Sequence, residues 1–276
     1  MRKSLIAASV MGLLSLPSLP VLAEDAPASP HTLTGNLTIA SDYRFRGITQ
    51  TFKRPAIQGG VDYSHSSGLY LGNWNSNVAP ETGFPGGNIE MDFYGGWKTT
   101  FGDFGLDVGF LYYYYPGSEA RPLTGFNIKA GTSQNTGAVD NKELYIGGSW
   151  KWISVKYSWS IDDYFAVPET KNTGYLEVNG TYDLGNGWGL VGHIGRLNLK
   201  NFESAAGDDG KYTDWKLGVT KDVGSGWTVG AFYVDTNAKG GGTCANYETY
   251  HYCKAANGKE IDAGKSTVVV TVGKTF

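Results

Sequence analysis

The sequence predicts a transmembrane antiparallel up-and-down β-barrel of about twelve strands. Three observations carry that reading: side-chain alternation with period two, connections that alternate between short and long, and an export-type N-terminus followed by no apolar run of helical span.

The first element is a secretory signal. Arg2 and Lys3 precede the apolar run Leu5 to Leu16, and Val21-Leu22-Ala23 closes it with a small residue, so cleavage is expected after Ala23. An uncleaved anchor is the competing reading, but Pro17 and Pro20 shorten the stretch below the roughly 20 residues that a bilayer requires. The expected organisation is a signal peptide at 1–23, a short periplasmic leader at 24–32 and a barrel at 33–276. Loss of Arg2 and Lys3 leaves 21 bases against 26 acids, which excludes the basic footprint of a nucleic-acid binder. The longest later apolar run, Val108 to Tyr115, is too short for a spanning helix, so any membrane crossing must be made by strands.

The strands follow in order. From Leu33 to Arg46 the odd positions read Leu, Gly, Leu, Ile, Ser, Tyr, Phe and the even ones Thr, Asn, Thr, Ala, Asp, Arg, Arg. Ile153 to Asp162 alternates without a break. Comparable segments are Pro55 to Ser64, Asn88 to Lys98, Phe104 to Tyr114, Glu143 to Trp152, Tyr175 to Leu184, Tyr212 to Asp222 and Ser266 to Phe276. In Leu69 to Val78, Trp188 to Leu197 and Trp227 to Thr236 both faces carry apolar residues, which reads as a bulge, an internal plug contact or a different register.

Short turns are expected at 65–68, 101–103, 152–153, 185–187 and 223–226. Long links are expected at 47–54, 79–87, 116–142, 166–174, 198–211 and 237–265. Five short and six long connections join twelve strands and put both termini on the periplasmic side. Chain-terminal Phe276 follows Val268, Val270 and Val272 at alternate positions, an ending that resembles the signal read by the barrel assembly machinery, although Lys274 departs from the usual apolar choice.

An apolar outer face is stable only in lipid, where closure of the sheet pairs every backbone group and removes its edges. A soluble sandwich or lipocalin-like barrel would turn that face inward, and twelve rows of large side chains would overfill it. Tyr43, Phe45, Trp97, Tyr112, Tyr114, Trp150, Trp152, Trp159, Trp188, Trp215 and Trp227 fall near strand ends, as two interfacial girdles would. A sugar-stacking platform is the alternative use of Tyr112 to Tyr115.

The opposite face is the candidate pore lining: Asp42, Arg44, Arg46, Asp62, Glu90, Asp92, Lys156, Glu177, Asp214 and Lys216, with Lys98, Asp107, Glu143, Lys151, Asp162, Asp183 and Asp222 in the same phase. Eleven acids against six bases would favour cations mildly if these groups line water, whereas pairing across the lumen would plug it. Cys244 and Cys253, in an oxidising compartment, are expected to form a disulfide; their spacing and the neighbours His251 and Asp262 match no zinc pattern.

No nucleotide loop, Cys-x-x-Cys, His-Glu-x-x-His or Gly-x-Ser-x-Gly elbow occurs, so neither cofactor nor enzymatic chemistry is expected. His193 is the one histidine expected on a strand, without a serine within two residues, which makes a lipase-like enzyme a distant third reading. The first is a porin-like channel for small polar solutes or ions, held in outer-membrane lipid. The second is a plugged barrel that acts through its external loops as a receptor or adhesin.

The segments 41–47 (SDYRFRG), 55–63 (PAIQGGVDY), 71–78 (LGNWNSNV) and 89–97 (IEMDFYGGW) resemble the TorF family of porin-like proteobacterial proteins. That resemblance implies an outer-membrane barrel with a transport role, supplies no substrate and carries over no functional residues.

Overall fold

The computed structural model describes residues 29–120, 137–204, 206–243, 246–254 and 257–276; the expected signal peptide and most of the leader lie outside them. Twelve antiparallel strands close into one barrel. They are β1 (His31–Ala40), β2 (Ala56–His65), β3 (Leu69–Asn77), β4 (Ile89–Phe101), β5 (Phe104–Tyr114), β6 (Asp140–Trp150), β7 (Ile153–Ser160), β8 (Gly174–Gly185), β9 (Trp188–Asn198), β10 (Tyr212–Gly224), β11 (Trp227–Thr236) and β12 (Thr267–Thr275). Each pairs with its sequence neighbour, and β1 closes the ring on β12 from Asn36↔Thr275 to Ala40↔Thr271. No helix among the described residues is long and apolar enough to cross a membrane.

Alternation assigns the faces. Leu33, Ile57, Leu71, Phe93, Ile146, Val155, Leu176, Leu217, Val229 and Val270 are exposed on the outside, as a lipid-facing wall requires. Trp97, Trp150, Trp152, Trp188, Trp215 and Trp227 are exposed near strand ends, in girdle positions. The turn expected at 152–153 is Lys151-Trp152 instead, since Lys151 adopts φ +54° and ends β6 two residues early. Lys151 therefore leaves the lumen set and lies over the Trp150 ring at 4.5 Å. Asp162 leaves it too, because β7 ends at Ser160; in the following loop it takes a 3.3 Å hydrogen bond from Lys142, which holds its carboxyl below the usual range.

The largest departure is at the first strand. β1 stops at Ala40, and residues 41–55 turn into the barrel as a small hairpin that pairs Arg44–Phe45 with Ile48–Thr49. Positive φ at Arg46 (+48°) and Gly47 (+80°) forms its tip, so Asp42, Arg44 and Arg46 stand inside the lumen and not on its wall. Close approach requires glycine at 47, where a Cβ would lie 2.3 Å from Thr236 Cγ2 and 2.7 Å from Asp214 Cβ. Tyr43 is 0 % exposed and Phe45 packs on Tyr113 and Phe165, so neither is a girdle residue.

The wall is adapted to this insert. Ala40, Ala56, Phe232, Val234 and Val269 face inward and form one buried apolar cluster with Tyr43, against which Phe45 and Trp74 also pack. Inward apolar residues of β3 and β11 are thus contacts to an internal plug, which resolves the ambiguous phase of those strands.

An arginine at Val178, outward on β8, is expected to lower unfolding free energy in vesicles by about 2–4 kcal/mol, the cost of a charge near the bilayer midplane. Arginine at lumen-facing Thr181 is expected to leave it near the wild-type value, as denaturant titrations followed by tryptophan emission would show.

Candidate functional site

The inserted hairpin meets two charged walls. On the β4–β6 side, Tyr43 Oη donates to Glu90 Oε1 at 2.9 Å. Arg46 Nη2 donates to Glu143 Oε2 at 2.8 Å, and Asn141 Nδ2 donates to Glu143 Oε1 at 3.0 Å. The Arg46 guanidinium also lies 4.7 Å from the Phe45 ring centroid and 4.2 Å from that of Tyr175, while its Nη1 donates to Tyr164 Oη at 3.1 Å. Arg44 stays within the hairpin's own neighbourhood: Nε donates to Asp42 at 2.6 Å, and Nη1 donates to the carbonyls of Gly47 and Ala263.

The β7–β10 side carries a second network. Lys156 Nζ is 2.8 Å from Glu177 Oε1, and Asn179 Nδ2 donates to Glu177 Oε2 at 3.0 Å. His193 joins Asn179 Oδ1 at 2.7 Å to Asp214 Oδ1 at 2.9 Å, and Tyr175 Oη donates to Asp214 Oδ2 at 2.8 Å. Lys216 faces the same space without a hydrogen bond or ion pair among the described residues, its ammonium 5.5 Å from the Phe232 ring centroid. Between hairpin and wall remains a space of about 60 Å³, lined among others by Arg44, Arg46, Asp92, Lys156, Glu177, Asp214 and Lys216.

Seven of the ten candidate residues, Asp62, Glu90, Asp92, Lys156, Glu177, Asp214 and Lys216, project inward from barrel strands. Asp62 sits apart, bonded to Tyr94. Glu90 and Asp92 are buried beside the hairpin, and Glu90 Oε2 and Asp92 Oδ1 have no hydrogen-bond partner among the described residues. The sequence reading missed Tyr164, Tyr175, Asn179 and the bridging part of His193. Strand phase alone could have placed Tyr175 beside Glu177; nothing in the chain order announces that residue 164 of a loop reaches Arg46. Cys253 is disulfide-bonded, and Cys244, the other cysteine of the pair expected, lies outside the described residues.

A closed barrel with an apolar exterior and a polar, partly filled lumen defines a membrane-spanning β-barrel. Over residues 24–276 the chain matches, and belongs to, the family described as "Bacterial protein of unknown function (Gcw_chp)". No curated protein sequence matches it. Among solved structures it is similar to the NanC porin, with TM-score 0.50, 10 % identity and coverage of 89 % of this chain and 99 % of that one. It is also similar to the KdgM porin in complex with disordered oligogalacturonate (TM-score 0.47, 7 % identity, 88 % and 97 % coverage). A third is OmpT of Vibrio cholerae (TM-score 0.41, 14 % identity, 92 % and 99 % coverage). At 10 % identity the likeness to the NanC porin is one of fold.

Replacing Arg46 by Met leaves Glu143 buried without its counter-charge. The expected loss of stability is about 3–5 kcal/mol, much smaller when Glu143 is already Gln. A double-mutant cycle on refolded barrels measures that coupling.

Proposed function

We propose that this chain is a porin-like channel of the bacterial outer membrane that passes small polar solutes or ions through a passage narrowed by residues 41–55. The observation that carries this reading is the contrast between an apolar exterior and an interior of hydrogen-bonding and charged side chains around an unfilled space. A gap of about 60 Å³ suits water and small ions better than an extended sugar chain. The resemblance of residues 41–97 to the TorF family supports the same assignment. Export by a signal peptide cut after Ala23, and assembly through the C-terminal strand that Phe276 follows, complete it.

Even without Lys151 and Asp162, acids outnumber bases among the interior charges, which supports a mild cation preference. A second reading has its own observation: Tyr43 packs into an apolar cluster with Phe232, Val234 and Val269, as a permanent plug would. In that case the external loops act as a receptor or adhesin.

Single-channel recording from the refolded mature chain, beside a mock-refolded control, tests the channel. Small discrete steps are expected, with larger ones when residues 42–53 are replaced by a Gly-Ser linker. Reversal potentials in a KCl gradient should report cations as the preferred carrier; anion selectivity would remove the preference. Silence from verified folded wild-type barrels, with steps only in the linker variant, would favour the plugged receptor.

A further inference from the structure

We infer that His31 and His65 form a surface site for a divalent transition-metal ion at the short-turn rim of the barrel. The two residues are direct antiparallel partners on β1 and β2, and both side chains lie on the outer face. Their ring centroids are 5.1 Å apart with the planes inclined by 51°. When an imidazole nitrogen binds zinc at 2.0–2.1 Å, the ring centre lies about 3.2 Å from the ion, so two such rings at a tetrahedral angle stand about 5.2 Å apart. The observed centroid spacing matches that value.

The outer shell supports the same role. His31 Nδ1 is 2.8 Å from Tyr63 Oη, and His65 Nδ1 is 2.8 Å from Ser67 Oγ. A hydroxyl oxygen can accept an N–H, so each ring can carry its proton on Nδ1 and present the Nε2 lone pair, the arrangement that orients metal-bound imidazoles. The Ser67 N–H donates to His65 Nδ1 at 3.2 Å, and this bond is exchanged for one to water when the Nδ1–H tautomer forms. Imidazole selects zinc, copper or nickel over magnesium or calcium, and water completes the coordination shell.

Other histidines are less available. His193 is held by Asn179, Asp214 and Tyr175 inside the barrel. His251 lies with Cys253 and Glu260, but Cys253 is disulfide-bonded and offers no thiolate.

The test uses the untagged mature chain, refolded in a nonionic detergent, titrated calorimetrically with Zn²⁺ and with Cu²⁺. One saturable site is expected at pH 7.5. His31→Gln and His65→Gln should each weaken it at least tenfold, and His251→Gln should leave it unchanged. Zn²⁺ should also raise the unfolding temperature of the wild type but not of the two rim variants, whose folding is checked by gel mobility before and after heating. No saturable binding to the wild type, or binding indifferent to both rim substitutions, overturns the proposal. Conductance plays no part in these readouts, so the result stands apart from the channel assignment.

Discussion

No water reaches the middle of a bilayer, so a strand there must satisfy its amides on neighbouring strands, and the last strand must find the first. In this protein the condition is met by the pairing of β1 with β12, from Asn36↔Thr275 to Ala40↔Thr271. Everything else is arranged around that ring. Odd residues of β1 and β2 face lipid because the even ones must face the lumen, and the same alternation, with even residues outward, runs through Leu176 on β8 and Val270 on β12. Closure also creates an interior that is shielded from lipid without being dry, the one place where Glu177, Lys156 and Asp214 can reside.

That interior is not an empty tube. The 41–55 hairpin brings Tyr43 and Phe45 onto an apolar strip of wall and Arg46 onto Glu143. The first contact gives the insert its adhesion, and the second fixes its orientation, since a buried guanidinium between two rings and a carboxylate has few alternative positions. Beside the hairpin, the Lys156–Glu177–Asn179–His193–Asp214 chain links β7, β8, β9 and β10 through side chains. Lys216 is left facing the remaining space.

Most of the barrel was legible before the structure. Phe104 to Tyr114 and Trp227 to Thr236 coincide with β5 and β11, and the short and long connections fall in the expected order. Errors were local. Glu143 to Trp152 slid along β6 because Lys151 turns with a positive φ that its side chain does not advertise. Leu33 to Arg46 was read as one strand because Tyr43 and Phe45 continue the apolar phase of Leu37 and Ile39. Their rings serve the inside of the barrel, a destination that alternation cannot distinguish from the outside once the chain has turned at Ser41.

The sequence by itself determined the strand count, the face that nine of the twelve strands show to lipid and the order of connections, because each of these follows from period-two alternation and turn chemistry within a few neighbouring residues. Tertiary structure alone decided that residues 41–55 fill the lumen, that Arg46 meets Glu143 and Tyr164, and that His31 stands opposite His65. Those pairs are brought together by barrel closure and by strand register. Both are long-range consequences of hydrogen bonding around the whole ring, and no local window of residues contains them.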